Sequence, residues 1–435
     1  MPSPNSYDSL TRVGPGTPMG GLMRQYWVPA MLSSELPRPD CPPVRVLLLG
    51  ERLVAFRDSG GRVGLLDHRC PHRGASLLHG RSEGGGLRCA YHGMLLDVDG
   101  RCRDRPAEPP GGELGDGVRA TAYPCRERGG VVWAYLGPRE VPPPLPDLEA
   151  NRLPEGRWQV SAILRECSWL QGLEGDIDTA HLGFLHFGSE RAEDQEPGTF
   201  RHYVLQDRAP RYALLDTEYG SMYGAYRAAG PGRRYWRIAH FLFPFYTMPP
   251  SGLLGHQVVA RAWVPMDDTH LMHFSMSATP APGDSLTPSI PDARPAAARR
   301  DWYGRFRLDA DESNDYLLDR ERQARDEDYS GIPGVHTQDQ AITESMGPIV
   351  DRTREHLGTS DAMVIRVRRR LAAAARALED EGTTPPGVDG PEAYRQRSGG
   401  VILDEDADWI EATGELRRAY VTHPGLDRSV TGGFV

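Results

Sequence analysis

The chain has 435 residues, 39% hydrophobic and 25% charged, with a formal net charge of −10. That length suits roughly two or three domains with a sizeable core. The acidic balance argues against a general nucleic-acid binder, which needs clustered basic side chains for phosphate contacts.

The opening MPSPNSYDSL lacks a basic region followed by an apolar run, and no later stretch approaches the ~18 consecutive apolar residues of a membrane helix. A cytoplasmic protein without a membrane role is expected. Six cysteines (Cys41, Cys70, Cys89, Cys102, Cys125, Cys167) are too few for a disulfide scaffold of this size, and in a reducing compartment they are expected as thiols or metal ligands.

After a segment containing GGLMRQYWVPAML, the region from about Val44 to Pro138 carries short β-type runs (VRVLLLG, RLVAFRD, RVGLLD, LRCAYHG, MLLDVDG, GVVWAYLG) separated by glycine turns, the pattern of a small all-β domain. The prolines of REVPPPLPDL predict a linker. From Trp158 the character becomes α+β. CSWLQGLEGDIDTAHLGFLH has helical spacing; RRYWRIAHFLFPFYTMPP and HQVVARAWVPMDDTHLMHFSM predict long antiparallel strands, with DD as turn chemistry. The Pro/Ala/Ser-rich stretch after Ala278 predicts a mobile loop, a candidate lid, and DAMVIRVRRRLAAAARALEDEG predicts an amphipathic helix.

Within DHRCPHRGASLLHGRSEGGGLRCAYHG, Cys70 and His72 lie one residue apart and Cys89 and His92 two apart, with sixteen residues between the pairs. Zinc competes for a Cys₂His₂ set, but zinc fingers pair the cysteines first and the histidines second. Here each loop supplies one of each. A [2Fe–2S] centre of Rieske type takes two thiolates on one iron and two imidazoles on the other, so two such loops can close over it from both sides. Pro71 stiffens the first loop, and Gly74 and the glycines at 84–86 permit tight turns. His68 and His79 have no place in this spacing.

CPHRGASL followed by GGLRCAYHG resembles the Rieske domain of the ring-hydroxylating oxygenases, in the phthalate-dioxygenase-like and O-demethylase branch of their large subunits. Met94 departs from it, standing where many relatives carry Trp. The resemblance extends over GGLMRQYWVPAML, WVPMDDTH and ESMGPIVDRTREHLGTSDAMVIRVRRRL. It implies an α+β fold: a small all-β Rieske domain at 44–140, and a catalytic domain at 141–435 with a long antiparallel sheet flanked by helices (helix-grip, START-like). The segment 1–43 is expected to pack with the catalytic domain.

A Rieske cluster moves single electrons and does no oxygenation, so a second metal is expected, and LEGDIDTAHLGFLH is the place for it. Two histidines and a carboxylate on one face of an iron leave positions open for dioxygen. Asp178 and His181 share a helix face, whereas His181 and His186 point about 140° apart on a regular helix, so a break is expected between them, at Gly183. By the resemblance His181 and His186 bind iron, and Asp178 links an iron-ligand histidine to a Rieske-ligand histidine of the neighbouring subunit. On spacing alone Asp178 also fits a helix-surface aspartate, and the two histidines fit packed core residues. The third ligand is expected at Asp339, in a QD that resembles the stretch carrying it in the same branch; Asp351, Glu344 and Asp361 compete. His336 is expected in a loop. Glu174 stands where some relatives carry Asn.

The resemblance implies a terminal oxygenase that hydroxylates or O-demethylates a small aromatic carboxylate, using O₂ and electrons from a separate flavin-bearing, NAD(P)H-dependent reductase. The chain has no Gly-x-Gly-x-x-Gly after a strand and no plant-type ferredoxin run of its own. A head-to-tail homotrimer, or a stacked pair of trimers, is expected. The alternatives are a stand-alone Rieske electron carrier, against which the second motif argues, and a zinc-stabilised interaction module. Candidate pocket residues are the aromatics Tyr235, Trp236, Phe241, Phe243, Phe245 and Tyr246, with Arg237 or Arg261 to clamp a carboxylate.

Overall fold

The computed structural model describes residues 5–109, 117–256, 258–278 and 294–421. The candidate lid after Ala278 lies mostly outside them. The chain opens with α1 (Asn5–Thr11) and α2 (Pro18–Met23), the latter capped by the Thr17 hydroxyl accepting from the Gly20 N–H. β1 (Trp27–Leu32) follows, buried throughout.

Up to Tyr135 the chain is then β-rich: β2 (Val44–Leu48), β3 (Glu51–Arg57), β4 (Val63–Asp67), β5 (Arg81–Glu83), β6 (Gly86–Arg88), β7 (Leu95–Leu96), β8 (Cys102–Asp104), β9 (Ala122–Tyr123), β10 (Cys125–Arg128) and β11 (Val131–Tyr135). They form sheets in the orders β2-β3-β4-β9, β5-β6-β7-β8 and β1-β11-β10. The expected runs LRCAYHG and MLLDVDG contribute only the short β6 and β7, because the residues between them are committed to a tight loop. Val54, Phe56, Leu66, Leu87 and Leu96 form the core against which Cys70 and Cys89 are buried.

The second part contains β12 (Trp158–Arg165), α3 (Trp169–Ile177), α4 (Leu182–Leu185), α5 (Phe200–Gln206), β13 (Arg211–Asp216), β14 (Gly220–Ala228), β15 (Arg233–Leu242), β16 (Tyr246–Met248), β17 (Val258–Pro265), β18 (Leu271–Ala278), α6 (Arg320–Ala324), α7 (Val335–Ser345), α8 (Ala362–Glu381), β19 (Gly399–Asp404) and α9 (Trp409–Thr413). One antiparallel sheet runs β12-β18-β17-β16-β15-β14-β13, with β19 paired to β15. The expected single strand through RRYWRIAHFLFPFYTMPP is two, β15 and β16, separated at Pro244, which has no N–H to give the ladder. The β17–β18 hairpin turns as its DD predicts: Asp267 Oδ1 accepts from Thr269 N (2.9 Å) and His270 N (2.8 Å).

In α8 the buried Met363, Val367, Leu371 and Ala375 recur every four residues and form the inward stripe of an amphipathic helix. α1 and α2 both pack on α8, while β1 pairs with β11. The first 43 residues therefore divide their contacts between the two parts of the chain. Among the described residues no helix is long and apolar enough to cross a membrane. The fold is α+β, a small all-β region followed by a large antiparallel sheet with helices.

Candidate metal centres

The two cysteine loops repeat one hydrogen-bond pattern. In the first, Cys70 N donates to Ala75 O (2.8 Å) and Gly74 N to Cys70 O (2.9 Å); in the second, Cys89 N donates to Met94 O (2.8 Å) and Gly93 N to Cys89 O (3.0 Å). Each turn closes on a glycine in the left-handed region, Gly74 at φ +74 and Gly93 at φ +73. Arg88 braces the second loop, donating to Gly93 O (2.6 Å), Glu83 (2.7 Å) and Asp104 (2.8 Å). Met94 is buried in the core beside Cys89 and fills the place expected for Trp.

Cys70 and Cys89 are buried, and the His72 and His92 rings are 4.6 Å apart at the half-exposed edge. Burial, together with the neighbouring Cys89 thiol, pushes the Cys70 thiol up to about 11, against backbone N–H groups of His72 and Arg73 that favour its thiolate. Among the described residues, the group of three or more donors whose atoms all lie within 4.8 Å of one another is His181, His186 and Asp339. No three of Cys70, His72, Cys89 and His92 meet that limit, so they do not enclose a single zinc ion. Two thiolates and two imidazoles set farther apart fit a two-iron cluster.

α3 ends at Ile177 because Asp178 takes extended backbone and its Oδ1 accepts from Ala180 N (2.7 Å), an Asx turn. The break thus precedes His181, not at Gly183, which lies inside α4. The turn presents Asp178 Oδ2 3.6 Å from His181 Nδ1. His181 and His186 flank the single turn of α4, and their Nε2 atoms are 3.1 Å apart.

From α7, Asp339 Oδ1 lies 3.2 Å from His186 Nε2 and 3.5 Å from His181 Nε2. Donors about 2.1 Å from one ion stand about 3.0 Å apart at right angles and about 3.4 Å apart at the tetrahedral angle, so the three atoms suit one ion. Burial opposes the Asp339 charge, but the hydrogen bond with His186 and the charges of both histidines outweigh it and hold the carboxyl below its ordinary range. For His181, burial opposes protonation, and Asp178 and Asp339 outweigh it.

The competing carboxylates are spent elsewhere. Asp351 caps Thr353 (3.1 Å), Asp361 accepts from Gly358 N (2.7 Å), and Glu344 accepts from Glu166 N (2.8 Å) and Tyr316 Oη (2.9 Å). His336 is not in a loop; it opens α7 on the same face as Asp339 and is buried. Arg261, a clamp candidate, is taken by Asp176, which also accepts from Thr247.

One residue, Gln338, and the partners of Glu174 escaped sequence reading. Gln338 Oε1 accepts from His186 Nδ1 (2.7 Å) while its Nε2 donates to Ile332 O (2.9 Å), which leaves the His186 lone pair on Nε2, facing His181 and Asp339. Nothing in the spacing of HTQDQ singles it out. Glu174 is held by Arg352 (3.1 Å) and Arg368 (2.6 Å) at a cleft of about 200 Å³ that is also lined by Asp178, His181 and Asp339.

Residues 26–124 match the family described as Rieske [2Fe-2S] domain, and residues 134–429 match LigXa C-terminal domain like. The 3-chlorobenzoate-3,4-dioxygenase oxygenase subunit of Comamonas testosteroni is 46% identical, over 93% of this chain and 96% of its own. The phthalate 4,5-dioxygenase oxygenase subunit of Pseudomonas putida is 37% identical, over 94% of each. Dicamba monooxygenase bound to 3,6-dichlorosalicylic acid shares the fold, with a TM-score of 0.56 at 18% identity over 82% of this chain and 99% of that one. These likenesses favour an oxygenase over a stand-alone electron carrier: the chain belongs to the Rieske non-haem iron oxygenases, as the oxygenase subunit of a multicomponent system whose cofactors are a Rieske [2Fe–2S] cluster and a mononuclear iron.

Proposed function

We propose that this oxygenase hydroxylates the ring of a small aromatic carboxylate, taking electrons from a separate NAD(P)H-dependent reductase. Cys70, His72, Cys89 and His92 hold the cluster, and His181, His186 and Asp339 hold the iron. The carrying observation is the 3.1–3.5 Å spacing of two imidazole nitrogens and a carboxylate oxygen in a chain that also has the paired Cys/His loops. The substrate class follows the names of the two relatives, both dioxygenases of aromatic acids.

When bound, the iron activates dioxygen and the cluster supplies electrons one at a time. The chain's residues do the positioning. Gln338 fixes the tautomer and ring plane of His186 by a hydrogen bond, whereas Asp178, 3.6 Å from His181 Nδ1, acts on His181 through its charge. Asp178 is also the proposed link to a cluster histidine of a neighbouring subunit in a head-to-tail trimer. Its side chain is 30% exposed, and Tyr91 beside His92 is 56% exposed, so each centre has an open face. We divide the chain into the segment 1–43, a cluster domain at 44–140 and an iron domain at 141–435, in a cytoplasmic enzyme.

A single turnover of reduced protein under ¹⁸O₂ with phthalates, chlorobenzoates and methoxybenzoates tests the activity. Two labelled atoms in a dihydrodiol support a dioxygenase, whereas one labelled atom with release of formaldehyde moves the enzyme to the O-demethylases. Protein carrying both metals that converts no aromatic acid refutes the substrate class.

A further inference from the structure

Residues 294–309 form an arm on the iron part of the chain. Its two sides are tied by Ala296 N donating to Arg307 O (2.8 Å), Arg299 N to Gly304 O (3.2 Å) and Asp309 N to Arg294 O (2.9 Å). The tip closes on Gly304, where a Cβ would stand 1.9 Å from Arg299 O. At its base the arm is fastened beside the start of α3: Leu164 N, near the end of β12, donates to Phe306 O (2.9 Å), and Arg307 donates to Glu166 (2.7 Å). Phe306 takes φ +52, a costly backbone for a residue with a side chain, and such strain persists only where the surroundings over-determine it.

The tip reaches out of the iron part. Trp302 lies against the cluster part, where the guanidinium groups of Arg52 and Arg45 stand 5.4 and 5.9 Å from its ring centre and the His68 ring meets it edge-on at 5.4 Å. Arg45 on β2 and Arg52 on β3 share a sheet face, because Arg52 pairs with Leu47, two residues from Arg45. Two cations over one indole, with an imidazole at its edge, hold the ring in place. The residues after Trp302 anchor the tip: Tyr303 Oη donates to Asp267 Oδ2 (2.7 Å) at the β17–β18 turn while its ring stacks on His270 (4.0 Å), and Arg305 donates to Glu35 and to Arg45 O (3.2 Å).

His68 is the root of the first cluster loop. Its N–H donates to Arg52 O (3.2 Å) and its carbonyl accepts from Leu77 N (2.7 Å), next to the bridge between Arg69 and Ser76 from which the turn with Cys70 and His72 emerges. The second loop is braced instead by Arg88, from within the cluster part. A residue of the iron part therefore bears on the first of two otherwise matching loops.

We propose that Trp302 is a positioning residue for the cluster: seated among Arg45, Arg52 and His68, it holds the first cluster loop at a fixed place on the iron part, so that His72 is presented to the neighbouring subunit. This deepens the reading above and rests on its head-to-tail ring. A ring of subunits fixes the spacing between the cluster of one and the iron of the next only if the two parts of each chain keep their relative place. The arm does this by joining the root of the Cys70–His72 turn to the strand that leads into α3, the helix that ends at Asp178. A misplacement of about 1 Å caused by a change far from the reacting atoms can cost about 100-fold in rate.

Amide hydrogen exchange and stopped-flow absorbance on the holoenzyme test it. In Trp302→Leu, exchange is expected to quicken about 10-fold or more at the first-loop amides of Cys70, Gly74 and Leu77 and to stay as in wild type at Cys89 and Gly93. Oxidation of the chemically reduced cluster after mixing with O₂ and phthalate or 3-chlorobenzoate should slow by about 10–100-fold, while reduction by dithionite keeps the wild-type rate. Trp302→Phe leaves a ring face for the two guanidinium groups and should recover both. Unchanged exchange in the first loop, equal quickening in both loops, or oxidation of Trp302→Leu at the wild-type rate overturns the proposal. If Trp302→Leu fails to retain the cluster absorption, Arg52→Gln decides, since it removes one cation from the indole and keeps the backbone oxygen that receives His68. Quickening confined to the first loop then supports the proposal, and any other exchange result overturns it. A wild-type cluster whose oxidation no aromatic acid accelerates refutes the proposed activity, whereas the exchange contrast between the two loops still decides for or against Trp302.

Discussion

Gly74 and Gly93 occupy equivalent places in the two cluster loops, with φ of +74 and +73, but their surroundings differ. A Cβ built on Gly74 meets nothing within 4 Å; on Gly93 it would lie 2.6 Å from Pro106 Cγ. Substituting alanine costs both positions about 1–2 kcal/mol for the left-handed backbone, partly offset by the smaller unfolded-state entropy of alanine. Only Gly93→Ala must also displace a proline ring, and such overpacking adds about 1–3 kcal/mol. The two variants share every backbone term, so their difference isolates Pro106. At about 2–4 °C per kcal/mol, Gly93→Ala should melt clearly below Gly74→Ala, followed by loss of the visible cluster absorption at one scan rate. Pro106→Ala in the Gly93→Ala background should restore most of that gap in a double-mutant cycle. Equal melting of the two alanine variants, or a gap that survives removal of the proline ring, would refute the reasoning.

Asp178→Asn keeps an oxygen for Ala180 N–H, so α3 should end where it does and both metals should be retained. Product formation should nevertheless fall by about 10-fold or more, because the carboxylate facing His181 Nδ1 is gone; full activity would make Asp178 a turn residue only. Gln338→Leu removes the acceptor of His186 Nδ1, and iron affinity measured by chelator competition should fall about 10–100-fold with the cluster spectrum unchanged. Asp147 predicts a pH effect. Burial opposes its charge, but hydrogen bonds from Tyr420, Arg395 and Arg152 outweigh it and hold its carboxyl below the ordinary range. Because the folded value is depressed, this stabilisation is complete above the unfolded value of about 3.9 and is lost as the pH falls below it. The melting difference between wild type and Asp147→Asn should be constant at neutral pH, start to narrow as the pH falls below about 4 and vanish only below the depressed folded value; a difference that does not narrow at all on acidification counts against it.

The cluster segment was legible because its donors lie one or two residues apart, so local turns alone bring each Cys and His together. Asp339 was reached by resemblance, since only the docking of α7 against α3 carries it the 153 positions to His186. The site of the helix break was misread. Helical periodicity treats Asp178 as a neutral position and glycine as the breaker, whereas the Asx turn that Asp178 makes with Ala180 stops the helix first. Arg261 shows the same limit: its partner Asp176 is 85 residues away, and no pattern in ARAWV announces it.

β18 shows where the remaining information lies. Its sequence LMHFSMSA alternates, with Met272, Phe274, Met276 and Ala278 on one face and His273, Ser275 and Ser277 on the other, yet all eight residues are buried. The apolar set joins the main core, whereas His273 and Ser275 have ring nitrogens and a hydroxyl without partners. A strand buried on both faces for stability alone is apolar on both. Polar residues kept on the enclosed face, at a cost in stability, mark a face selected for what enters it. Alternation inside a fully buried strand therefore marks the polar face of the sheet, whereas the cleft at the metal donors is lined from α3, α7 and α8. Relatives named for different aromatic acids must therefore differ around the metal donors and not in the donors themselves.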